Sequence, residues 1–217
     1  MIEATRIIAI RHGETTWNVD TRIQGHLDIA LNDTGRLQAT RLALALKEEP
    51  ITAVYASDLA RAWETAQYLG RARGLPVQPE TGLRERCFGD FEGKTFAQIE
   101  ALLPEQSRLW RKRDPEFAPA GGESLQALSQ RVVETAARLA ARHPGEQLAL
   151  VGHGGVMDVL DRAATRLPIQ APRTWALGNA AINRLLWTPE GFTLVGWADT
   201  QHLDGESLDD GRIHNKN

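Results

Sequence analysis

Cysteine is almost absent. One thiol, Cys87, in 217 residues rules out an internal disulfide and a cysteine-built zinc site. Neither sign of charge dominates: 25 Lys and Arg against 28 Asp and Glu leave a formal net charge of -3, which argues against a nucleic-acid binder held by bulk electrostatics. No apolar run approaches the ~20 residues that cross a bilayer. Met1-Ile2-Glu3-Ala4-Thr5-Arg6 opens the chain without a basic stretch leading into a long apolar segment. The expectation is a soluble, cytoplasmic protein with neither nucleic acid nor membrane as partner. Any anion site has to be local.

What is present is organised. Short runs rich in branched aliphatic residues fall at Ile7 to Ile10, Ala53 to Ala56, Leu148 to Gly152, Asn183 to Trp187 and Phe192 to Trp197, with a weaker one at Pro76 to Pro79. Each reads as a strand. Asn32-Asp33-Thr34 predicts a capped helix with apolar positions Leu37, Leu42, Leu44 and Leu46, and Ser57-Asp58 predicts the cap of a second, which carries Arg61, Trp63 and Tyr68. Ser124 opens an amphipathic pattern through Leu125, Leu128, Val132, Val133 and Leu139, and a fourth helix is expected to start within Gly154-Gly155-Val156-Met157. Strands alternating with helices predict an α/β three-layer sandwich: a mostly parallel central sheet, helices on both faces, and the last two strands as an antiparallel hairpin at one edge. The size fits a single domain over residues 1–217. Within it, residues from about 93 to 122 form two short helices, a basic stretch and a Pro-containing loop, which read as a small helical cap, and residues 204–217 read as a polar tail.

Two of the strand ends carry histidines, in Arg11-His12-Gly13 and in Val151-Gly152-His153-Gly154-Gly155. Ligands of open α/β sheets bind beyond the carboxyl ends of the strands, so both histidines belong to one expected site. An arginine next to a histidine there sets a permanently charged fork for phosphate beside a nucleophile that titrates near neutrality. The glycines let backbone N–H groups approach an anion. Metal binding is the competing use of such histidines, but no pair sits at helical ligand spacing and Arg11 would oppose a cation. No metal and no cofactor are expected. Gly89-Asp90-Phe91-Glu92-Gly93-Lys94-Thr95 is similar to a nucleotide P-loop, yet its leading glycine is one residue too close and Asp90 and Glu92 would face the phosphates.

Arg11-His12-Gly13-Glu14-Thr15-Thr16-Trp17-Asn18 is followed in order by Ser57-Asp58-Leu59-Ala60-Arg61-Ala62, Leu83-Arg84-Glu85, Gly121-Gly122-Glu123-Ser124 and Gly152-His153-Gly154. On this set the chain resembles, over nearly its whole length, the histidine phosphatase superfamily, which includes the cofactor-dependent phosphoglycerate mutases and their phosphatase relatives. The resemblance implies that His12 attacks phosphorus and that Glu85 protonates the leaving oxygen and then activates water. It also implies that Arg11, Arg61 and His153, with Asn18, donate to the phosphoryl oxygens. Gln24, Gly25, Arg86 and Cys87 are the candidates for contact with the leaving group, with Trp17 a weaker one and Gly154 a further substrate contact at the helix start. Arg111-Lys112-Arg113 is read as solvated helix surface and kept out of the site.

Arg22-Ile23-Gln24-Gly25-His26, the short cap and Asp90-Phe91-Glu92-Gly93 are similar to the phosphatase members, whereas Glu85-Arg86 before Cys87-Phe88-Gly89 partly resembles the mutases. The expected function is therefore a metal-independent phosphatase that acts on small phosphorylated metabolites. Two alternatives stand beside it: a phosphoglycerate mutase, and a non-catalytic phospho-ligand binding module, which would be expected to have lost the nucleophile or the acid. A homodimer through the hairpin edge, residues 183–197, is left open.

Overall fold

Strict alternation of apolar side chains along the first strand decides how the layers form. In the computed structural model, which describes residues 3–176 and 178–204, β1 (Thr5–Arg11) turns Ile7 and Ala9 to one face and Ile8 and Ile10 to the other. The first face packs against α6 (Leu125–Ala140) and α7 (Gly154–Thr165) through Leu128, Val132, Val156 and Leu160. The second packs against α2 (Asp33–Ala45) and α3 (Ala60–Arg73) through Leu42, Ala62, Ala66 and Leu69. With β2 (Ile51–Ala56), β3 (Val77–Pro79), β4 (Gln147–Gly152), β5 (Ile182–Thr188) and β6 (Gly191–Asp199), the sheet order is β3-β2-β4-β1-β5-β6. The first four strands run parallel, β5 is antiparallel to β1, and β6 is antiparallel to β5 at the edge. With the short helices α1 (Thr16–Val19), α4 (Phe96–Leu102) and α5 (Pro104–Arg111), this is the expected three-layer α/β sandwich. No helix among the described residues is long and apolar enough to cross a membrane, and the tail read at 204–217 lies, from residue 205 on, outside them.

Two local expectations are corrected. Leu37 and Leu44 are exposed, because α2 buries Gly35, Ala39, Leu42 and Ala43, a stripe at i, i+4, i+7 and i+8 that uses small residues for close packing. Ser57-Asp58 does not cap α3: the N-cap is Leu59, without a side-chain cap, and the Ala60 amide is instead taken by Asp28 Oδ1 at 2.6 Å from a distant loop. Ser57 and Asp58 are engaged elsewhere, as the site shows.

The adjacent strands β2, β4 and β1 end together. One hydrogen bond past each pairing keeps the following residues aligned: His12 N–H donates to Gly152 O and Ser57 N–H to Val151 O, both at 2.9 Å. The chain after β1 is pressed onto the first turn of α2, where a Cβ on Gly35 would lie 2.1 Å from the Glu14 carbonyl oxygen. A glycine-to-alanine change inside a helix ordinarily stabilises by up to ~1 kcal/mol. Gly35→Ala is expected to do the reverse and destabilise by about 1–3 kcal/mol through overpacking. Urea unfolding checks the sign, and a neutral or stabilised variant would contradict the close approach.

Candidate active site

Beyond these strand ends lie two adjoining cavities of about 160 and 230 Å³, both lined by Arg11, Glu85 and Phe88. Asn18, Gln24, Gly25, His12 and Arg61 line the smaller one; Arg86, Gly154 and Gly155 line the larger.

His12 is buried, and its Nδ1 lies 2.6 Å from Gly13 O. A carbonyl only accepts, so Nδ1 carries the proton and Nε2 of the neutral ring keeps its lone pair. The ring resists protonation: burial pulls its pKa well below the ordinary histidine value, and the Arg61 and Arg11 charges pull it further, against the Gly13 hydrogen bond. The His153 ring centroid stands 5.2 Å from that of His12. Its Nε2 lies 2.8 Å from Ser57 Oγ, which also accepts Leu59 N–H at 3.3 Å. Its Nδ1 is buried, with no hydrogen-bond partner among the described residues. Its pKa is also pushed well down, first by burial and then by Arg61, His12 and Arg11.

Fixed positive charge surrounds this pair. Arg61 reaches in from the first turn of α3, almost wholly buried, and donates to Gly25 O at 2.8 Å and Leu27 O at 3.0 Å. Burial lowers its pKa, with Glu85, Asp28 and Glu92 opposing. Arg11, at the end of β1, is pulled down to about 10 by burial, with Glu85 opposing and Arg173 and Arg61 adding to the fall. Both remain charged at neutral pH. Glu85 lies between the cavities, its Oε1 accepting Arg86 N–H at 2.8 Å and Gly155 N–H at 3.0 Å. A Cβ at Gly155 would fall 2.2 Å from that oxygen, so a larger residue there would push the Glu85 carboxylate from this position. Asn18 accepts Thr15 N–H at 3.0 Å through Oδ1, which leaves its NH2 group as the cavity-side donor. Gln24 is buried, and its Oε1 has no partner among the described residues. A neutral nucleophile, two guanidinium cations, imidazole and amide donors and one carboxyl group form a set suited to a phosphoryl group.

Comparison with known proteins decides the family. The model of the histidine phosphatase superfamily (branch 1) matches residues 7–200. The chain belongs to the histidine phosphatase superfamily. It is 38% identical over 94% of its length, and 89% of the relative's, to phosphoglycerate mutase-like protein 4 of Arabidopsis thaliana. To the glucosyl-3-phosphoglycerate phosphatase of Mycobacterium tuberculosis it is 37% identical, over 90% of this chain and 93% of the other. A solved structure of the mycobacterial glucosyl-3-phosphoglycerate phosphatase with VO3 superimposes with a TM-score of 0.81 at 36% identity, covering 90% of this chain and 99% of that one.

Not every expected residue of this histidine phosphatase reaches the cleft. Cys87 faces away: its thiol donates to Gly121 O at 3.4 Å and lines a separate hollow with His26, Arg84 and Arg131. The chain turns there because Cys87 O accepts Glu123 N–H at 2.8 Å. Trp17 does not line either cavity and lies beside Gly93, where an added Cβ would be 3.6 Å from it. Arg113, read as solvated surface, instead lines the larger cavity, because its Nε and NH2 groups are drawn inward to Ile169 O at 3.0 Å and Asp158 at 2.6 Å. Four further residues went unread. Ser57 orients His153, and Asn179 donates to His12 O at 3.1 Å and to Asn18 Oδ1 at 3.3 Å; Asp158 and Arg173 line the larger cavity. Ser57 lies in the same short motif as Arg61, which marks it, whereas Asn179 comes from a loop with no pattern of its own.

Two histidines kept neutral by the fold set a pH dependence of stability. An unfolded histidine titrates near ~6.5. Below that the unfolded chain takes up protons that the native site refuses, so this contribution is complete above the unfolded value and stability is lost as pH falls. Each histidine is expected to contribute up to about 1.4 kcal/mol per pH unit. Urea unfolding at pH 7.5 and 5.5 should therefore show a smaller acid loss for His12→Gln than for wild type; equal losses would mean that His12 is protonated in the native protein.

Proposed function

We propose that this chain hydrolyses small-molecule phosphate monoesters without a metal, through a phosphohistidine on His12. The 2.6 Å contact of Nδ1 with Gly13 O carries the reading, because it aims an unprotonated Nε2 out of a buried, uncharged ring. Nε2 attacks phosphorus in line, the P–N bond forms and the bond to the ester oxygen breaks. Arg11, Arg61, the Nδ1–H of His153 and the NH2 of Asn18 donate to the non-bridging oxygens, which gather charge in the transition state. Glu85, lining both cavities, hands a proton to the leaving alkoxide. Water then attacks phosphorus, Glu85 takes its proton, the P–N bond breaks, and inorganic phosphate leaves with neutral His12 restored.

Trp110 and Arg113 lining the larger cavity support the reading of residues from about 93 to 122 as a cap. The single thiol and the lack of a membrane-spanning helix among the described residues support a cytoplasmic location. A mutase would use the same groups and return the phosphoryl group to product; the relative named phosphoglycerate mutase-like keeps that reading second.

With glycerol 3-phosphate, whose alkoxide leaves poorly, Glu85→Gln should lower turnover by about 10²–10⁴-fold, and with p-nitrophenyl phosphate by far less. Equal losses on the two would remove Glu85 from the acid role. Phosphorus NMR on the wild type should show inorganic phosphate; an isomerised ester without it would make the chain a mutase.

A further inference from the structure

Glu85, the acid of the proposed reaction, stands on a stretch without regular structure. Residues 84–88 belong to no helix or strand, so no ladder of backbone bonds sets their course. Their position depends on partners from elsewhere in the fold. Arg84 donates to Asp58 Oδ1 at 2.7 Å, Phe88 N–H to Glu92 Oε1 at 2.9 Å, and the Cys87 carbonyl accepts Glu123 N–H at 2.8 Å. The Glu85 carbonyl is held by a ring: His26 Nε2 lies 2.8 Å from it. A carbonyl only accepts, so Nε2 is the donor. Arg131 reaches the same oxygen at 3.4 Å, but divides its fork among Gly82 O, Arg84 O and the Glu123 carboxylate at 2.7 to 3.0 Å.

His26 is itself restrained from the other side. Its backbone N–H donates to Glu92 Oε1 at 2.9 Å, the oxygen that also takes Phe88 N–H. Gly25 permits the contact, since it has φ 52° and a Cβ there would lie 2.0 Å from that oxygen. Glu92, which would spoil a nucleotide loop, thus joins the loop of Gly25 and His26 to the segment that carries Glu85. The same loop holds Arg61 through Gly25 O and Leu27 O. One loop grips both a phosphate-binding cation and the proton donor. His26 lines neither cavity, so it reaches the chemistry through one of those two residues. Its ring bonds the Glu85 carbonyl, whereas Arg61 is held by backbone carbonyls that a change of the His26 side chain leaves in place.

We propose that His26 is a positioning residue for the general acid: its Nε2–H fixes the Glu85 carbonyl and thereby aims the carboxyl group at the leaving oxygen. The proposal rests on the reading of Glu85 as the acid and adds the residue that places it. The Glu85 carboxylate is tied to α7 through Gly155 N–H at 3.0 Å. A backbone shift at residue 85 stretches that bond and turns the carboxyl group, and proton transfer in the transition state is lost with small displacements. A phosphate-binding residue acts on every ester alike, whereas the acid matters only where the leaving group needs a proton. The effect of His26 therefore depends on the leaving group.

The test compares kcat/KM, which reports the steps up to loss of the alcohol, for glycerol 3-phosphate and p-nitrophenyl phosphate. A glutamine places its side-chain NH2 where Nε2 of histidine lies and an asparagine where Nδ1 lies, so only glutamine reaches the Glu85 carbonyl. His26→Asn is expected to lose about 3- to 10-fold on glycerol 3-phosphate, the worth of one hydrogen bond, and less than about twofold on p-nitrophenyl phosphate. His26→Gln should stay within about twofold of wild type on both. In a Glu85→Gln background His26→Asn should cost nothing further, because the two residues act as one unit. His26→Phe, which keeps a ring and loses the donor, makes the same comparison if the asparagine variant does not fold. Equal losses on the two esters, no loss on either, or an undiminished loss in the Glu85→Gln background would overturn the proposal and leave the phosphatase standing. Equal losses for Glu85→Gln itself would overturn the acid reading and this proposal with it.

Discussion

Keeping a histidine neutral inside a cluster of arginines is the constraint on which the site depends. A phosphate dianion repels nucleophiles, so its oxygens have to be met by positive charge, yet the same charge would be useless if it came from the attacking imidazole. Burial resolves the conflict in opposite ways for the two residue types. It drives the imidazoles of His12 and His153 towards their neutral forms, while guanidinium groups stay protonated even where Arg11 is lowered to about 10. The separation of roles follows from intrinsic basicity, and the fold has only to exclude water.

Exclusion of water and alignment both come from the sheet. The ends of β2, β4 and β1 are neighbours, so Ser57, His153 and His12 emerge side by side, Ser57 and His12 fixed by backbone pairing that continues past their strands and His153 as the N-cap of α7. Ser57 holds one ring through Nε2 as the Gly13 carbonyl holds the other through Nδ1. Loss of any of these bonds would leave the residues present but wrongly protonated or turned, and transition-state contacts are sensitive to shifts of about 1 Å.

Much of this was legible in the residues. Strands alternating with helices predict the layers, and the Arg11-His12-Gly13 and Gly152-His153-Gly154 motifs place both imidazoles at the strand ends where they are found. Other features were hidden because they depend on contacts between distant segments. The Ser57-Asp58 pair has helix-cap chemistry by local rules, but tertiary partners His153 and Arg84 claim it. Arg113 sits in a run that reads as solvated surface, and only its bonds to Ile169 and Asp158 turn it inward. Asn179 lies in a loop without periodicity and acts through the backbone of His12. Cys87, adjacent in sequence to Arg86, faces the opposite side of the chain, because neighbours in an extended segment need not share a cavity.

The account stands or falls on a covalent intermediate at one atom of one ring. Rapid mixing with radiolabelled phosphate ester, quenching in alkali to preserve the phosphoramidate, and peptide mapping test it directly. The account predicts acid-labile label within the first turnover on the peptide that contains His12, and none in His12→Ala. Label on any other residue, or label that persists in His12→Ala, would contradict it.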